Sequence, residues 1–289
     1  MSSPPTAAES VKAEDWTGDM GARWIANLAS LEALVAPIGN ALLARADYRP
    51  GERVLDVGCG GGSTTIAIAR AVAPNGVALG IDISPDLTAV ATGRAAEAGL
   101  GNVRFLCSDA ATVRLPEAPF DRLFSRFGSM FFDDPVAAFS NLHTLLRPGA
   151  RVDLAVWGPP RDNPWMMEMM TIARRHVEIP PAIPRTPGPF AFEDTDYLKE
   201  ILTAAGFSAI EISAHAGPLP IGGAGSTPNA AVDFAFAALA FGRALDEQPE
   251  QVRNAAAREM TTLFEKHHSA AGVTMNGKAW LVSAVTSSV

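Results

Sequence analysis

The stretch RVLDVGCGGGSTTIAIARAV, residues 53–72, constrains this chain most, because it joins an apolar strand to a helix through a glycine cluster. Val54, Leu55 and Val57 are mostly β-branched and predict a strand that is buried on both faces. Glycine lets the chain turn sharply and lets a ligand approach the backbone, and four glycines follow the strand: Gly58, Gly60, Gly61 and Gly62. A helix predicted to begin at Ser63 completes the strand, turn and helix that open a doubly wound nucleotide-binding sheet.

Three kinds of ligand are compatible with a glycine loop, and the neighbouring residues separate them. A phosphate-binding P-loop ends in Gly-Lys-Ser/Thr, but Gly62 leads into Ser63 without a lysine, so we set this alternative aside. A dinucleotide site of the GxGxxG type matches weakly, because Ser63 occupies its last position. Asp56 lies inside the strand, two residues before the first glycine, where dehydrogenase strands are usually apolar. The pattern V-L-D-V-G-C-G-G-G resembles motif I of class I S-adenosylmethionine (SAM)-dependent methyltransferases.

Strands and helices alternate five times after the N-terminal region. Further strands are predicted at 77–82, 103–109 and 120–127 and in RPGARVDLAVW, and helices at 85–98 and 135–146. This alternation predicts a parallel sheet covered by helices. A helix at 194–205, a strand at 208–213 and a last strand at 278–285 continue it. The resemblance implies an α/β fold with a doubly wound, seven-stranded, mostly parallel sheet and helical cap insertions.

The chain divides into five predicted segments. Residues 1–15 are polar and are expected to be a disordered lead-in, and residues 16–46 form an N-terminal helical segment. Residues 47–157 are the predicted SAM-binding core, and the resemblance covers about residues 45–157. A Pro- and Met-rich cap follows at 158–193. Residues 194–289 contain the rest of the sheet, with helices inserted at 229–271.

The spacing of acids after the glycine loop indicates how a nucleoside would be held. Asp82 ends the second strand, where an acid accepts hydrogen bonds from ribose hydroxyls, although strand-end acids are also common helix caps. The resemblance places Ile83 on the adenine face, and Asp109 and the Ala110 amide at the adenine edge, with an N-cap as the alternative role of Asp109. The cofactor it implies is SAM, released as S-adenosylhomocysteine (SAH). The residues assigned to SAM are Asp56, Gly58, Cys59, Gly60, Asp82, Ile83, Asp109, Ala110 and Arg126.

The stretch after the fourth strand indicates the class of methyl acceptor. Many nucleic-acid and protein amide methyltransferases carry Asn-Pro-Pro-Tyr here, whereas this chain has SRFGSMFF at 125–132, which argues against base N-methylation. This stretch resembles the ubiquinone/menaquinone-type and natural-product methyltransferases, a branch that acts on small molecules. The candidate substrate residues lie at the carboxyl ends of strands or on the cap, although core packing is the alternative: Met130, Phe131, Trp157 and Trp165.

Methyl transfer from a sulfonium needs a general base only if the acceptor must lose a proton. Positioning for in-line displacement supplies most of the acceleration. Of the five histidines, His176 and His215 are the candidate bases, and His143 is expected to be structural. No metal site is predicted, because Asp133 and Asp134 lack a third ligand and instead cap the helix that begins at Pro135.

Composition limits the partners of the chain. The net charge is -8 and no Lys/Arg cluster is present, which disfavours nucleic acid as a partner. Two cysteines provide no disulfide framework and suit a reducing cytoplasm. No membrane span is expected, because no run of about 18 apolar residues occurs. The inserted helices could form a lid or a homodimer interface. The alternative functions are a nicotinamide-dependent oxidoreductase and a non-catalytic interaction module with this fold.

Overall fold

The computed structural model describes residues 16–287, which are organised around a β-sheet. The spatial order of strands is β3-β2-β1-β4-β5-β8-β6, and the two-residue β7 pairs with β8 alone. β1 to β5 run parallel, whereas β8 is antiparallel to β5 and β6. The seven strands of the main path confirm the predicted doubly wound sheet. The strands are β1 (Arg53–Val57), β2 (Val77–Asp82), β3 (Val103–Cys107), β4 (Phe120–Arg126), β5 (Leu146–Trp157), β6 (Phe207–Pro220), β7 (His268–Ser269) and β8 (Gly272–Thr286).

Helices connect the strands and pack against them. Two predicted caps are present: Ser84 Oγ accepts from the Leu87 amide at 3.3 Å, and Asp134 Oδ1 accepts from the Ala137 amide at 3.0 Å. In each case proline follows as the first helical residue. The helices are α1 (Asp19–Ala26), α2 (Leu28–Ala46), α3 (Ser63–Val72), α4 (Pro85–Glu97), α5 (Pro135–Thr144), α6 (Pro164–His176), α7 (Thr195–Ala204), α8 (Pro228–Ala238), α9 (Ala240–Asp246) and α10 (Glu250–Lys266).

The N-terminal helical segment is two helices, not one. The break falls at Asn27, whose side-chain amide donates to the Arg23 carbonyl oxygen at 2.9 Å and so competes with the helix ladder. By length and composition α2 could cross a membrane, but core helices meet the same criterion. Its side chains Leu31, Leu34, Ile38 and Leu42 are buried in the hydrophobic core. The expected disordered lead-in at 1–15 lies outside the described residues.

The C-terminal strands are longer than predicted. β6 and β8 continue as a paired ribbon, in which Ala214–Pro220 lie opposite Thr274–Trp280. Sequence analysis did not predict this part of β6, because glycine and proline weaken a strand pattern and it contains Gly217, Pro218 and Pro220. Proline is tolerated here because β6 is an edge strand. The ribbon leads into α8, α9 and α10, which lie between β6 and β8 in the chain, and α10 packs against α6 and α8.

Candidate active site

The glycine loop lies where the order of strands reverses, because β1 is placed between β2 and β4. Ligands of doubly wound sheets bind at such a switch point, outside the carboxyl ends of the strands. The amides of Gly58 and Cys59 both donate to the Ile81 carbonyl of β2, at 2.9 and 3.1 Å, and hold the loop against β2. Gly58, Gly60 and Gly62 have φ angles of 68°, 53° and 80°, a region that other residues rarely adopt.

The loops that follow β1 and β4 touch through two glycines. A Cβ atom on Gly58 would lie 2.6 Å from Gly128 Cα, and one on Gly128 would lie 2.7 Å from Gly58 Cα. Gly60 is different, since nothing lies within 4 Å of its Cβ position, so its backbone faces open space. Sequence analysis missed Gly128, although the F-G pair directly after a predicted strand could have indicated it.

Asp82 reaches across from β2 to hold the loop. Its Oδ2 accepts from the Gly60 amide at 2.8 Å, and its Oδ1 accepts from the Ser84 amide at 3.0 Å. Burial raises the pKa of this carboxyl, and the two amide bonds oppose the rise. An ionised carboxylate has about four acceptor sites, so each oxygen can still accept a ribose hydroxyl.

Asp56 lies behind the loop and is 1% exposed, so it does not line an open pocket. Its Oδ2 accepts from the hydroxyls of Thr64 and Thr65 at 2.8 and 2.7 Å and thereby fixes the first turn of α3. Its Oδ1 is buried without a partner among the described residues. Burial raises the pKa of Asp56 to about 6, although both threonines lower it. Sequence analysis assigned Asp56 to direct contact with SAM. In the structure Asp56 instead positions the first turn of α3.

The residues expected at the adenine edge lie together beyond β2 and β3. Ile83 is partly exposed beside the chain end of β2. Asp109 is exposed, and its carboxylate accepts from the Ala111 amide at 2.8 Å and the Thr112 hydroxyl at 3.1 Å. Asp109 thus caps the turn, which is the alternative role considered for it. The Ala110 amide has no acceptor within residues 16–287 and remains available to a ligand.

The protein-family model described as a methyltransferase domain matches residues 54–149, from β1 to the start of β5. Over these residues the chain is similar to a methyltransferase domain. It is 36% identical over 124 residues to nocamycin O-methyltransferase of Saccharothrix syringae, covering 43% of this chain and 44% of that protein. It is 32% identical over 108 residues to demethylmenaquinone methyltransferase of Geobacillus kaustophilus, covering 37% of this chain and 46% of that protein. The chain spans about half the length of the curated relatives it matches.

Solved structures show the same fold. YcgJ from Bacillus subtilis superposes with a TM-score of 0.57 at 18% identity, over 87% of this chain and 99% of that one. A methyltransferase-like protein from Bacillus halodurans gives a TM-score of 0.54 at 17% identity, over 86% of this chain and 99% of that one. At this identity the likeness concerns the architecture alone. It agrees with the strand order described above.

The structure places the Cys59 thiol away from the open side of the loop. Cys59 is 3% exposed, and its Sγ lies 2.9 Å from the position that a Cβ on Gly80 of β2 would occupy. Burial raises the pKa of the thiol, so it remains protonated. Sequence analysis grouped Cys59 with the cofactor residues, but only its backbone belongs to the loop.

Aromatic rings stack behind the loop that follows β4. Phe127 stacks on Trp157 at a centroid distance of 4.2 Å, and Trp157 lies 5.3 Å from Trp165. Phe127 has a φ of 63°, which costs on the order of 1–3 kcal/mol in a residue other than glycine. Sequence analysis missed this strained position, because no local pattern indicates it.

Three of the four predicted substrate residues are buried: Met130 is 1%, Trp157 5% and Trp165 2% exposed. Their packing corresponds to the core alternative. Phe131 retains accessible surface and lies edge-on to Trp16 at 5.1 Å. Trp16 in turn contacts Trp24 of α1 at 5.5 Å. The accessible aromatic surface near the loop is therefore made by Phe131 and the N-terminal tryptophans.

Both candidate bases lie away from the loop. His176 ends α6, and its Nε2 lies 3.0 Å from Glu259 Oε1 on α10. It is 11 residues after Trp165, or about 16 Å along the helix. His215 is on the edge strand β6, three strands from β4 and hence about 14 Å away. The structure thus assigns His176 to the joint between α6 and α10, and gives neither histidine a place beside the loop. Within residues 16–287, no group of three His, Cys, Asp or Glu side chains is arranged to hold a metal ion.

Proposed function

We propose that the chain transfers a methyl group from SAM to a small, mainly apolar or aromatic acceptor. The observation that carries the proposal is the loop geometry. Gly60 leaves its backbone open, while its amide fixes Asp82, which retains acceptor capacity for two hydroxyls. A nucleoside placed against this loop would meet a ribose-binding carboxylate and an apolar neighbour, Ile83, on consecutive residues. These features fit the adenosyl part of SAM.

The residues that would hold SAM follow from this fit. Gly58 and Gly60 would contact it through the backbone, Asp82 would accept from its ribose, and Ile83 would lie on the adenine. The free Ala110 amide would donate to the adenine ring, with Asp109 shaping that turn. When bound, SAM supplies an electrophilic methyl group on a sulfonium, which is already a good leaving group.

What remains for the protein is to orient the acceptor and to exclude water. Holding two reactants in line can supply roughly 7–11 kcal/mol of a barrier. Phe131 and Trp16 offer an apolar surface for this. Trp165 of α6 packs on Trp157 and so joins the cap to the end of β5. Because neither candidate histidine lies beside the loop, we propose that positioning and not a histidine base carries the reaction.

Two lines of support favour a small acceptor. The partly exposed aromatic side chains beside the loop suit a planar apolar molecule. Two relatives are named for nocamycin and demethylmenaquinone. The atom that receives the methyl group is left to experiment.

Two further expectations belong to this proposal. Cys59 and Cys107 are free thiols, which suits the reducing cytoplasm proposed for the chain. A homodimer through α8–α10 is the proposed assembly, and light scattering of the purified chain would show twice the monomer mass.

Transfer of a labelled methyl group from SAM to a panel of quinones, phenols and aromatic acids tests the function. We expect wild-type protein to label at least one acceptor and Asp82→Ala to lose most of the activity at limiting SAM. The lost bonds to a charged group correspond to roughly 1–3 kcal/mol, or about 5- to 150-fold in SAM affinity. Asp86→Ala, an exposed acid in the first turn of α4, serves as the control and should keep full activity. Unchanged SAM affinity in Asp82→Ala would remove Asp82 from the site.

A further inference from the structure

The N-terminal helix α1 spans two sides of the candidate site. On one side, a Cβ on Gly21 would lie 3.7 Å from the hydroxyl of Ser84, which follows β2. On the other side, Trp16 lies just before α1 and packs edge-on against Phe131, in the loop after β4. The segment around α1 therefore reaches from the proposed nucleoside side of the site to the accessible aromatic surface.

Contacts with the rest of the fold hold α1 in place. The helix has only eight residues, and isolated helices shorter than about 12–15 residues are marginal in water. Trp16 is fixed to it on one side, because its carbonyl group lies against Gly21 and leaves no room there for a side chain. Trp24 of α1 packs on the Trp16 ring at a centroid distance of 5.5 Å. Any shift of α1 would therefore move both tryptophans.

Arg23 joins α1 to the helices inserted between β6 and β8. Its Nη2 donates to Asp246 Oδ2 of α9 at 2.7 Å. Its Nη1 donates to the carbonyl oxygens of Phe236 and Ala237 at the end of α8, at 3.4 and 3.5 Å. Its Nε donates to Asp19 Oδ2 of α1 at 3.0 Å. All three nitrogens of the guanidinium are thus engaged, and the side chain is 19% exposed.

The end of α8 is a favourable place for a cation. The last carbonyl groups of a helix lack intrahelical donors and carry partial negative charge. The Phe236 carbonyl is also fixed from its far side, because it lies against Gly242 of α9 and leaves no room there for a side chain. The hydrogen bond to Asp246 raises the pKa of Arg23, so the guanidinium stays charged.

We infer that Arg23 is a positioning residue for the methyl acceptor. By joining α1 to α8 and α9, it holds Trp16 against Phe131 and so completes the apolar surface on which the acceptor lies. The inference rests on the proposed function, because it needs an acceptor at Phe131. It concerns the acceptor and not SAM, since the arginine assigned to SAM, Arg126, instead donates to Ser63 Oγ at 3.2 Å.

Steady-state methyl transfer by Arg23→Gln tests this role. The acceptor used is the quinone, phenol or aromatic acid of the panel above that the wild-type protein labels fastest. We expect its KM to rise about 3- to 10-fold, on the scale of a lost ion pair with its hydrogen bonds. The kcat, and the SAH affinity from calorimetry, should change less than about twofold. A loss of folded protein would lower the apparent kcat and leave KM unchanged, and Arg23→Lys should restore part of the acceptor affinity.

Quenching of tryptophan fluorescence by acrylamide gives a readout that needs no turnover. Trp16 and Trp24 are half-buried, and Arg23→Gln should make them more accessible to acrylamide. The increase should be absent when Arg23→Gln is made in a Trp16→Phe, Trp24→Phe background. Only the three tryptophans outside the α1 segment remain in that background.

Arg253→Gln is the matched control. Arg253 approaches the other oxygen of Asp246 from α10, at 4.0 Å, and its replacement removes the same charge. It should change neither the acceptor KM nor the quenching.

An unchanged acceptor KM in Arg23→Gln would overturn the inference, whether or not the quenching changes. Equal weakening of acceptor and SAH binding would overturn it too. Each of these results leaves the proposed function intact. A wild-type protein that labels no acceptor of the panel would contradict the proposed function itself, and the inference with it.

Discussion

Replacement of Gly128 by alanine tests whether contact between the loops after β1 and β4 shapes the site. The added Cβ would lie 2.7 Å from Gly58 Cα and 2.8 Å from the Val57 carbonyl oxygen. Both are backbone atoms, so no flexible side chain can move aside. Since ordinary contact begins near 3.4 Å, the loops must separate by about 0.7 Å.

Overpacking of this kind costs about 1–3 kcal/mol of unfolding free energy. The separation also moves Gly58 relative to Gly60 and Asp82, so SAH affinity should fall as well. Urea unfolding gives the stability and calorimetry gives the affinity.

Gly93→Ala is the matched control, because Gly93 is exposed within α4 with nothing within 4 Å of its Cβ position. Alanine there should raise the unfolding free energy by as much as about 1 kcal/mol, because alanine has a higher helix propensity than glycine. A Gly128→Ala protein as stable and as tight for SAH as the wild type would refute the role given to this contact.

Two further substitutions probe the buried polar groups. In Asp56→Asn we expect a changed pH dependence of stability. The folded pKa of Asp56, about 6, is raised above its unfolded value of 3.8, so its charge penalises folding increasingly as pH rises from about 4 to 6. When the pH falls from 7 to 5, the unfolding free energy of the wild-type protein should therefore rise by about 1 kcal/mol relative to that of Asp56→Asn. Over the whole range, from above the folded pKa to below the unfolded pKa, the rise is about 3 kcal/mol. Parallel pH profiles of urea unfolding for the two proteins would contradict this. Asn163 is fully buried and accepts from the Lys278 amide at 2.9 Å and Trp165 Nε1 at 3.3 Å, while donating to the Gly158 and Lys278 carbonyls. Asn163→Ala should lower the unfolding free energy by about 2–4 kcal/mol and alter tryptophan emission, whereas Asn254→Ala on the surface of α10 should do neither. An unshifted urea midpoint in Asn163→Ala would count against the role of Asn163 in joining the cap to the sheet.

Local signals in the sequence predicted much of the core. The glycine loop, the Ser84 cap and the Asp134 cap depend on neighbouring residues, so short patterns were enough to find them. The doubly wound, mostly parallel sheet followed from the alternation of elements and from the family resemblance. The family resemblance was recognisable because the glycines at fixed spacing and Asp82 all lie within 25 residues.

Contacts between distant residues were not predictable in this way. Gly128 matters because of Gly58, 70 positions earlier, and Asn163 because of Lys278, 115 positions later. The role of His176 is set by Glu259 on an inserted helix. Burial of Trp157 and Trp165 depends on how the cap packs, which the spacing of Met and Trp residues does not determine.

The central claim is that the glycine loop holds the methyl donor, and calorimetric titration of the wild-type protein with SAH and with NAD tests it most directly. We predict saturable binding of SAH with one site per chain, and no heat with NAD. At 100 times its dissociation constant, SAH should also raise the unfolding free energy by about 2.7 kcal/mol. Binding of NAD in place of SAH, or of neither ligand, would contradict the account.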